Sequence, residues 1–335
     1  MKAASLQFFA TPFDLTRNLE TAERLIRQAA GQGAQLAVLP EMFNTGYVYT
    51  PRLFAFAEAD DGLTLRNLQR LSAELRVHLA GTLLLRDGSQ VFNTFVLVEP
   101  GGRIHRYRKQ HPFLWEHCYF AAGRGPLIAA TELGRLGLMV CWDIAHRAVW
   151  EQYRGQVDVL LLASSAPRLH RALLNFPLGR KVYLAELMPW LLRRREEIDR
   201  WYGDSLAARA AWLGAPIVHS VMAGRFVAEA PFPRLSFLAA ALRRPRYWPL
   251  VAQAHLAGLR ATFYGTSAVY GAAGETLARV ESEEGAAVAE AGPTRAASAP
   301  WDESLLRLPA SFRLAQRLLA PLARGYYRRH RAPPA

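Results

Sequence analysis

The chain alternates between two hydrophobic periods, and that alternation limits its fold more than any other feature. "AASLQFFATP" reads as a first strand, and "DLTRNLETAERLIRQAAGQG" as the helix that follows. That helix has Asp14 or Thr16 at its start and Gly31 and Gly33 at its end. Leu19, Ala22, Leu25, Ile26 and Ala29 share one of its faces. "AQLAVLP" is a short, continuously apolar strand; residues 63–75 are a second helix and 77–85 a further strand. "VFNTFVLVEP" and "RIHRYRK" flank the turn "PGG" as a hairpin. "LGRLGLMV", a helix at 145–154 and "VDVLLLASS" continue the pattern, and "TFYGTSAVYGAAGETLARV" closes it as a hairpin turning at Gly271–Gly274. Strands and helices in alternation predict an α/β layered fold rather than a bundle or an all-β sandwich.

Two stretches interrupt this order. Residues 168–200 and 231–260 are apolar and arginine-rich at helical spacing, and read as helical insertions on the core or as a subunit contact. An amphipathic membrane-surface role is the alternative for them. Residues 284–300 are rich in Ala, Gly and Pro and read as a linker, and the tail to 335 carries seven arginines against two acids. The domain boundary is therefore expected at 283.

Net charge is +13, yet only Lys2, Lys109 and Lys181 among the 41 basic residues are lysines. The arginines are spread through helical stretches, with no zinc-finger spacing, RNP-like segment or helix-turn-helix signature, so a specific nucleic-acid partner is not expected. Loose attraction to anionic surfaces stays open. Two cysteines, Cys118 and Cys141, make a disulfide framework improbable and suit a reducing compartment. With no signal-peptide pattern and no apolar run of about 18 residues, the expected location is the cytoplasm.

Three polar residues close strand-like segments: Glu41 after "AQLAVLP", Lys109 after "RIHRYR", and Cys141 after "LGLMV". Each alone has an ordinary reading, the carboxylate and ammonium in solvated loops and the cysteine packed as a small hydrophobe. Together they make chemical sense. A thiol is mostly protonated at neutral pH, an ammonium beside it favours the thiolate, and a carboxylate can take its proton. The same ammonium can then face the oxyanion that forms when sulfur attacks a carbonyl or nitrile carbon.

At "LAVLPEMFNTGY", "YRKQHPF" and "GLMVCWDI", supported by "EHCYFAAG" and "YGTSAVYGAAGETLA", the sequence resembles the nitrilase superfamily of carbon–nitrogen hydrolases. The resemblance covers most of residues 3–282. It implies a four-layer α-β-β-α sandwich that commonly pairs into dimers or higher homo-oligomers. It implies Glu41 as general base, Lys109 as oxyanion stabiliser, Cys141 as nucleophile and Glu116 as the second glutamate between lysine and cysteine. The backbone N–H of Trp142 would serve the oxyanion hole. The implied reaction is attack on a small amide or nitrile, release of ammonia or an amine, and hydrolysis of a thioester. No metal or organic cofactor is implied.

The family's substrate signals conflict here. "CWDIAHRAVW" lacks the proline and glutamate that many amidase-type members carry after the nucleophile. Asp143 stands where nitrilases proper usually have glutamate, and this favours an amide. Tyr47, Trp115, Phe120 and His146 are pocket candidates by neighbourhood only. "RLHRALLNFPLGRK" would either wall the pocket and offer an arginine to an acidic substrate end, or serve as scaffold. Acyl transfer to an amine and a non-catalytic basic binding protein are the readings from other classes.

Overall fold

The computed structural model describes residues 1–292, 300–301 and 310–331. Its first half runs β1 (Lys2–Gln7), α1 (Leu15–Gly31), β2 (Leu36–Val38), α2 (Leu63–Leu75), β3 (His78–Asp87), β4 (Gln90–Val98) and β5 (Ile104–Arg108). Next come β6 (Ile128–Thr131), β7 (Gly134–Val140), α3 (Arg147–Glu151) and β8 (Val159–Ser164). An inserted stretch supplies β9 (Leu173–Asn175), β10 (Lys181–Tyr183), α4 (Leu184–Leu187), α5 (Trp190–Arg193) and α6 (Arg195–Arg200). The chain continues through α7 (Asp204–Leu213), β11 (Ile217–Val221), β12 (Arg225–Ala228), α8 (Pro233–Ala241), β13 (Gly258–Thr262), β14 (Ala268–Tyr270), β15 (Thr276–Arg279), β16 (Gly285–Glu290) and α9 (Ala310–His330).

Two six-stranded sheets, ordered β16-β1-β2-β3-β4-β5 and β15-β14-β11-β8-β7-β6, lie face to face. The period of two along each strand explains how. Ala3, Leu36, Val38, Phe95 and Leu97 point towards the second sheet, while Ala4, Ala37, Val96 and Val98 pack with the buried stripe of α1 and with Leu65 and Leu68 of α2. α7 covers the outer face of the second sheet. This is the expected α-β-β-α sandwich. Because both faces of each sheet are covered, central strands such as "VLLLAS" are apolar throughout. The first two expected helices hold closely, with Asp14 capping α1 by accepting from the Arg17 N–H at 3.1 Å, whereas the helix expected at 145–154 shrinks to the single turn Arg147–Glu151.

Two expectations are corrected. The insertions are only partly helical: β9 and β10 pair as a hairpin and join β13 and β12 in a separate four-stranded sheet. Pro177 and Gly179 interrupt the helical pattern there, with Leu178 and Gly179 both at positive φ. Residues 285–290, read as linker, form β16, which pairs antiparallel with β1 from Lys2↔Glu290 to Gln7↔Gly285. Small residues in "GAAVAE" satisfy that edge without needing a large apolar face. Residues 293–299, the remainder of that stretch, lie outside the described residues.

The basic tail forms α9, which packs on the segment Leu114–Cys118. Tyr327 is buried and its hydroxyl accepts the Val91 N–H at 2.8 Å, while Tyr326 meets the Phe232 ring edge-on at 5.5 Å. Among the described residues, no helix is long and apolar enough to cross a membrane, and no group of three His, Cys, Asp or Glu could hold a metal ion.

Candidate active site

Both sheets deliver residues to one place, the carboxyl ends of their strands, which is where open α/β sheets leave a crevice. Glu41 follows β2, Lys109 follows β5, Cys141 follows β7 and Ser165 follows β8. The loop carrying Glu41 is pinned on three counts. The Met42 N–H donates to Thr82 Oγ1 at 2.8 Å, Met42 sits at φ 51°, and Gly81 leaves room for the loop. A side chain at Gly81 would meet Leu39 Cβ at 2.8 Å and the Phe43 ring at 3.2 Å. Lys109 is held by its own N–H to Asn93 O at 3.0 Å and by the Gly123 N–H to its carbonyl at 2.8 Å.

The side chains of Glu41, Lys109 and Glu116 converge in a fully buried cluster. Lys109 Nζ lies 2.8 Å from Glu41 Oε1 and 2.8 Å from the carboxylate oxygens of Glu116. Glu41 also accepts from Asn93 Nδ2 and from the Ser165 N–H, each at 2.8 Å. Glu116 accepts from the Tyr47 hydroxyl at 2.7 Å and from the Phe113 N–H. Each carboxylate thus receives several donors, which a buried charge requires.

Cys141 opens a short 3-10 turn, Cys141–Ala145, with φ 44°. A side chain in the left-handed region is strained, and such strain persists only when surroundings fix it. Asp143 does so here, accepting from Tyr107 Oη at 2.8 Å, the His111 N–H at 2.8 Å and the Val140 N–H at 3.2 Å. Cys141 Sγ lies 3.6 Å from the Tyr202 hydroxyl.

The electrostatics follow from burial and company. Burial pushes the Cys141 thiol well above its ordinary value; Glu41 adds to this and Lys109 opposes it. Burial disfavours the Lys109 ammonium, but Glu116 and Glu41 hold it well above the usual lysine range. Burial lifts Glu116 to about 7 against the pull of Lys109, and lifts Asp143 to about 6. Cys118 is pushed up to about 12 by burial alone, in keeping with a packed, unreactive thiol.

A cavity of about 40 Å³ opens on Cys141, with Tyr47, Trp142, Trp201, Tyr202 and Tyr264 among its walls. Of the pocket candidates, Tyr47 lines it. Trp115 does not, Phe120 packs 5.9 Å from Lys109 Nζ, and His146 stacks on His111 at 3.6 Å outside the cavity. The inserted stretch does wall the cavity, through Leu169, Trp190, Leu191 and Ile198, but Arg168 offers it no free guanidinium, pairing with Asp199 at 2.7 Å and donating to Tyr264 O at 3.0 Å. Sequence reasoning missed Asn93, Ser165 and Tyr202. Only Asn93 carried a signal, an amide inside an apolar strand that had to find a partner.

Residues 2–175 match the family described as carbon-nitrogen hydrolase. A nitrilase of Pyrococcus abyssi is 34% identical over 147 residues, 43% of this chain and 56% of the relative. An omega-amidase of Escherichia coli is 31% identical over 144 residues, 42% of this chain and 55% of the relative. The chain therefore spans about half the length of these relatives. Among solved structures, an amidase from Nesterenkonia sp. superposes with a TM-score of 0.63 at 20% identity, covering 88% of this chain and 91% of that one. A CN-hydrolase superfamily protein from Xanthomonas campestris superposes at 0.59 with 21% identity, covering 86% and 89%.

Proposed function

The chain belongs to the carbon–nitrogen hydrolase family, and on that premise we propose that it hydrolyses the C–N bond of an amide through a thioester on Cys141. The observation that carries the reading is Lys109 Nζ, held at 2.8 Å from both Glu41 and Glu116 at the strand end beside the buried thiol.

Because burial keeps the Cys141 thiol protonated, attack and proton transfer go together. Glu41 takes the thiol proton as Sγ bonds to the carbonyl carbon. The Lys109 ammonium and the Trp142 backbone N–H face the oxygen that becomes negative. When the tetrahedral adduct collapses, the C–N bond breaks and Glu41 returns its proton to the leaving nitrogen. Water then gives a proton to Glu41 and attacks the thioester, releasing the acid and restoring the thiol. Glu116 holds Lys109 in place, and Tyr47 holds Glu116. Donors preset for the oxyanion need no reorganisation, and losing one of them costs about 10²–10³ in rate.

Two structural neighbours support the amide as substrate. One is described as an amidase in complex with acrylamide, the other as that amidase with the acetamide moiety of fluoroacetamide added at its active-site cysteine. The relative named nitrilase keeps nitriles in the test. Ammonia release is measured over a panel of short amides, ω-amides, N-carbamoyl compounds and nitriles, with folded Cys141→Ala and Glu41→Gln proteins as controls. The expected outcome is release from amides, absent in Cys141→Ala and reduced at least about 10²-fold in Glu41→Gln. Release that persists in Cys141→Ala refutes the mechanism, and release from nitriles alone refutes the substrate class.

A further inference from the structure

Next to the small cavity on Cys141 lies a second chamber of about 180 Å³. The two share Phe113, Pro167 and Leu169. Its walls come from parts of the chain remote in sequence: Tyr49 and Trp115 from the sandwich, Phe237 on α8, Leu259 on β13, and Leu319 on α9. Room is left because Ala239, Ala240, Ala254 and Ala257 line it where larger side chains would reach across.

Its chemistry is one-sided. Tyr49, Trp115 and Ser236 are the lining residues with a side-chain N–H or O–H, and the hydroxyls of Tyr49 and Ser236 are engaged. The Tyr49 hydroxyl is 3.1 Å from that of Tyr47, and Ser236 Oγ donates to Pro231 O at 2.5 Å. A water in this space would find few of the two to four partners it needs, whereas apolar ligands do enter dry cavities of such size. A space this large beside a nucleophile therefore calls for an occupant.

We infer that this chamber receives the apolar acyl chain of the substrate, so that the preferred amides are those of fatty or other long apolar carboxylic acids. The inference rests on the thioester reading above. The cavity on Cys141 holds the reacting carbonyl and little more. The acyl group, not the amine, stays bonded to Sγ through both half-reactions, so it is the part that gains from an apolar site beside Cys141. Phe113, Pro167 and Leu169 form the neck through which the chain passes.

The test measures kcat/KM for acetamide, butanamide, hexanamide and octanamide, and for N-octylacetamide, which puts the same chain on the leaving nitrogen. Wild type is compared with Ala240→Phe and Ala254→Phe, which fill the chamber from two elements, each checked for folding by its thermal melt. Calorimetry of octanamide with Cys141→Ala, with and without Ala240→Phe, reads the chamber without turnover. The expected kcat/KM rises about fourfold per methylene. The octanamide-to-acetamide ratio falls at least about tenfold in both filled variants, in line with the same per-methylene gain, and octanamide binds Cys141→Ala but not the double variant. A flat chain-length series, a ratio unmoved by both fillings, or preference for N-octylacetamide overturns the inference. Turnover of all amides alike sinks the chamber and leaves the amidase reading standing. Silence on every amide with chamber-dependent octanamide binding sinks the amidase reading and supports the chamber.

Discussion

The Glu41–Lys109–Glu116 cluster and the chamber beside it are neighbours built on opposite terms. In the cluster every carboxylate meets several donors at 2.7–2.8 Å. In the chamber, alanines and large apolar side chains from an inserted module and a C-terminal helix leave space unfilled. A buried charge that loses its partner costs several kcal/mol, so the first region admits almost no change. An apolar wall that gains or loses a methylene costs about 1 kcal/mol. On the proposed function, the reaction type would rest on the part of the molecule that admits little change, and the substrate range on the part that can vary.

The sharpest way to break that contrast is Lys109→Met. The substitution keeps the side chain's bulk but leaves Glu41 and Glu116 facing each other without a cation. A loss of about 3–5 kcal/mol in denaturant stability is expected. A fall of at least about 10² in kcat/KM accompanies it if Lys109 faces the oxyanion as proposed. A stability change below about 1 kcal/mol would show that the carboxylates simply protonate at little cost, and the cluster would be no more constrained than the chamber.

The same contrast explains what could be read from the sequence. Strand-end positions are marked by a change of period, so Glu41, Lys109 and Cys141 stood out, and the layer order followed from alternating strands and helices. Asn93 was legible in principle, since an amide in "VFNTF" has to be satisfied. Tyr202 and Ser165 were not, because their contacts depend on how separate loops meet. The chamber was less legible still. Leu174, Phe237, Leu259 and Leu319 belong to four elements, and nothing in their local patterns says they share a wall. The arginine-rich composition of residues 168–200 suggested continuous helices, but Pro177 and Gly179 bend the chain into a hairpin. The tail's α9 reaches the sandwich through Ala323, Tyr326 and Tyr327, small and aromatic residues hidden among arginines.

A subtler probe of the polar region is the pH dependence of Glu116→Gln. The folded protein holds the Glu116 proton up to about 7, against a usual 4.5. Between those values the folded chain keeps a proton that the unfolded chain has released. This contribution to stability is full below about 4.5 and is lost as pH rises through 7. It amounts at most to the order of 3 kcal/mol. Buried neutral histidines act in the opposite direction, His219 lowered to about 3 and His117 and His146 to about 4 by burial, but they are common to both proteins. The stability of wild type minus that of Glu116→Gln should therefore fall between pH 5 and pH 7.5 in denaturant titrations. A constant difference would mean that Lys109, Tyr47 and Phe113 keep Glu116 ionised throughout, and that its donors outweigh its burial.

The smallest expected effect lies where the two regions touch. Tyr202 lies between α6 of the inserted stretch and α7, and its hydroxyl is 3.6 Å from Cys141 Sγ. Burial keeps that hydroxyl protonated, so it can only donate to a developing thiolate. A single neutral hydrogen bond contributes about 0.5–1.5 kcal/mol, and Tyr202→Phe should lower kcat/KM by about two- to tenfold on that basis. The same change should move the pH dependence of iodoacetamide alkylation of Cys141 upward, because a group favouring the thiolate is gone. The preference among acyl chain lengths should stay as in wild type, since the ring still lines the small cavity and the chamber is untouched. A change in chain-length preference with no change in alkylation would assign Tyr202 to the apolar wall, and would erase the boundary between the two regions at the residue where they meet.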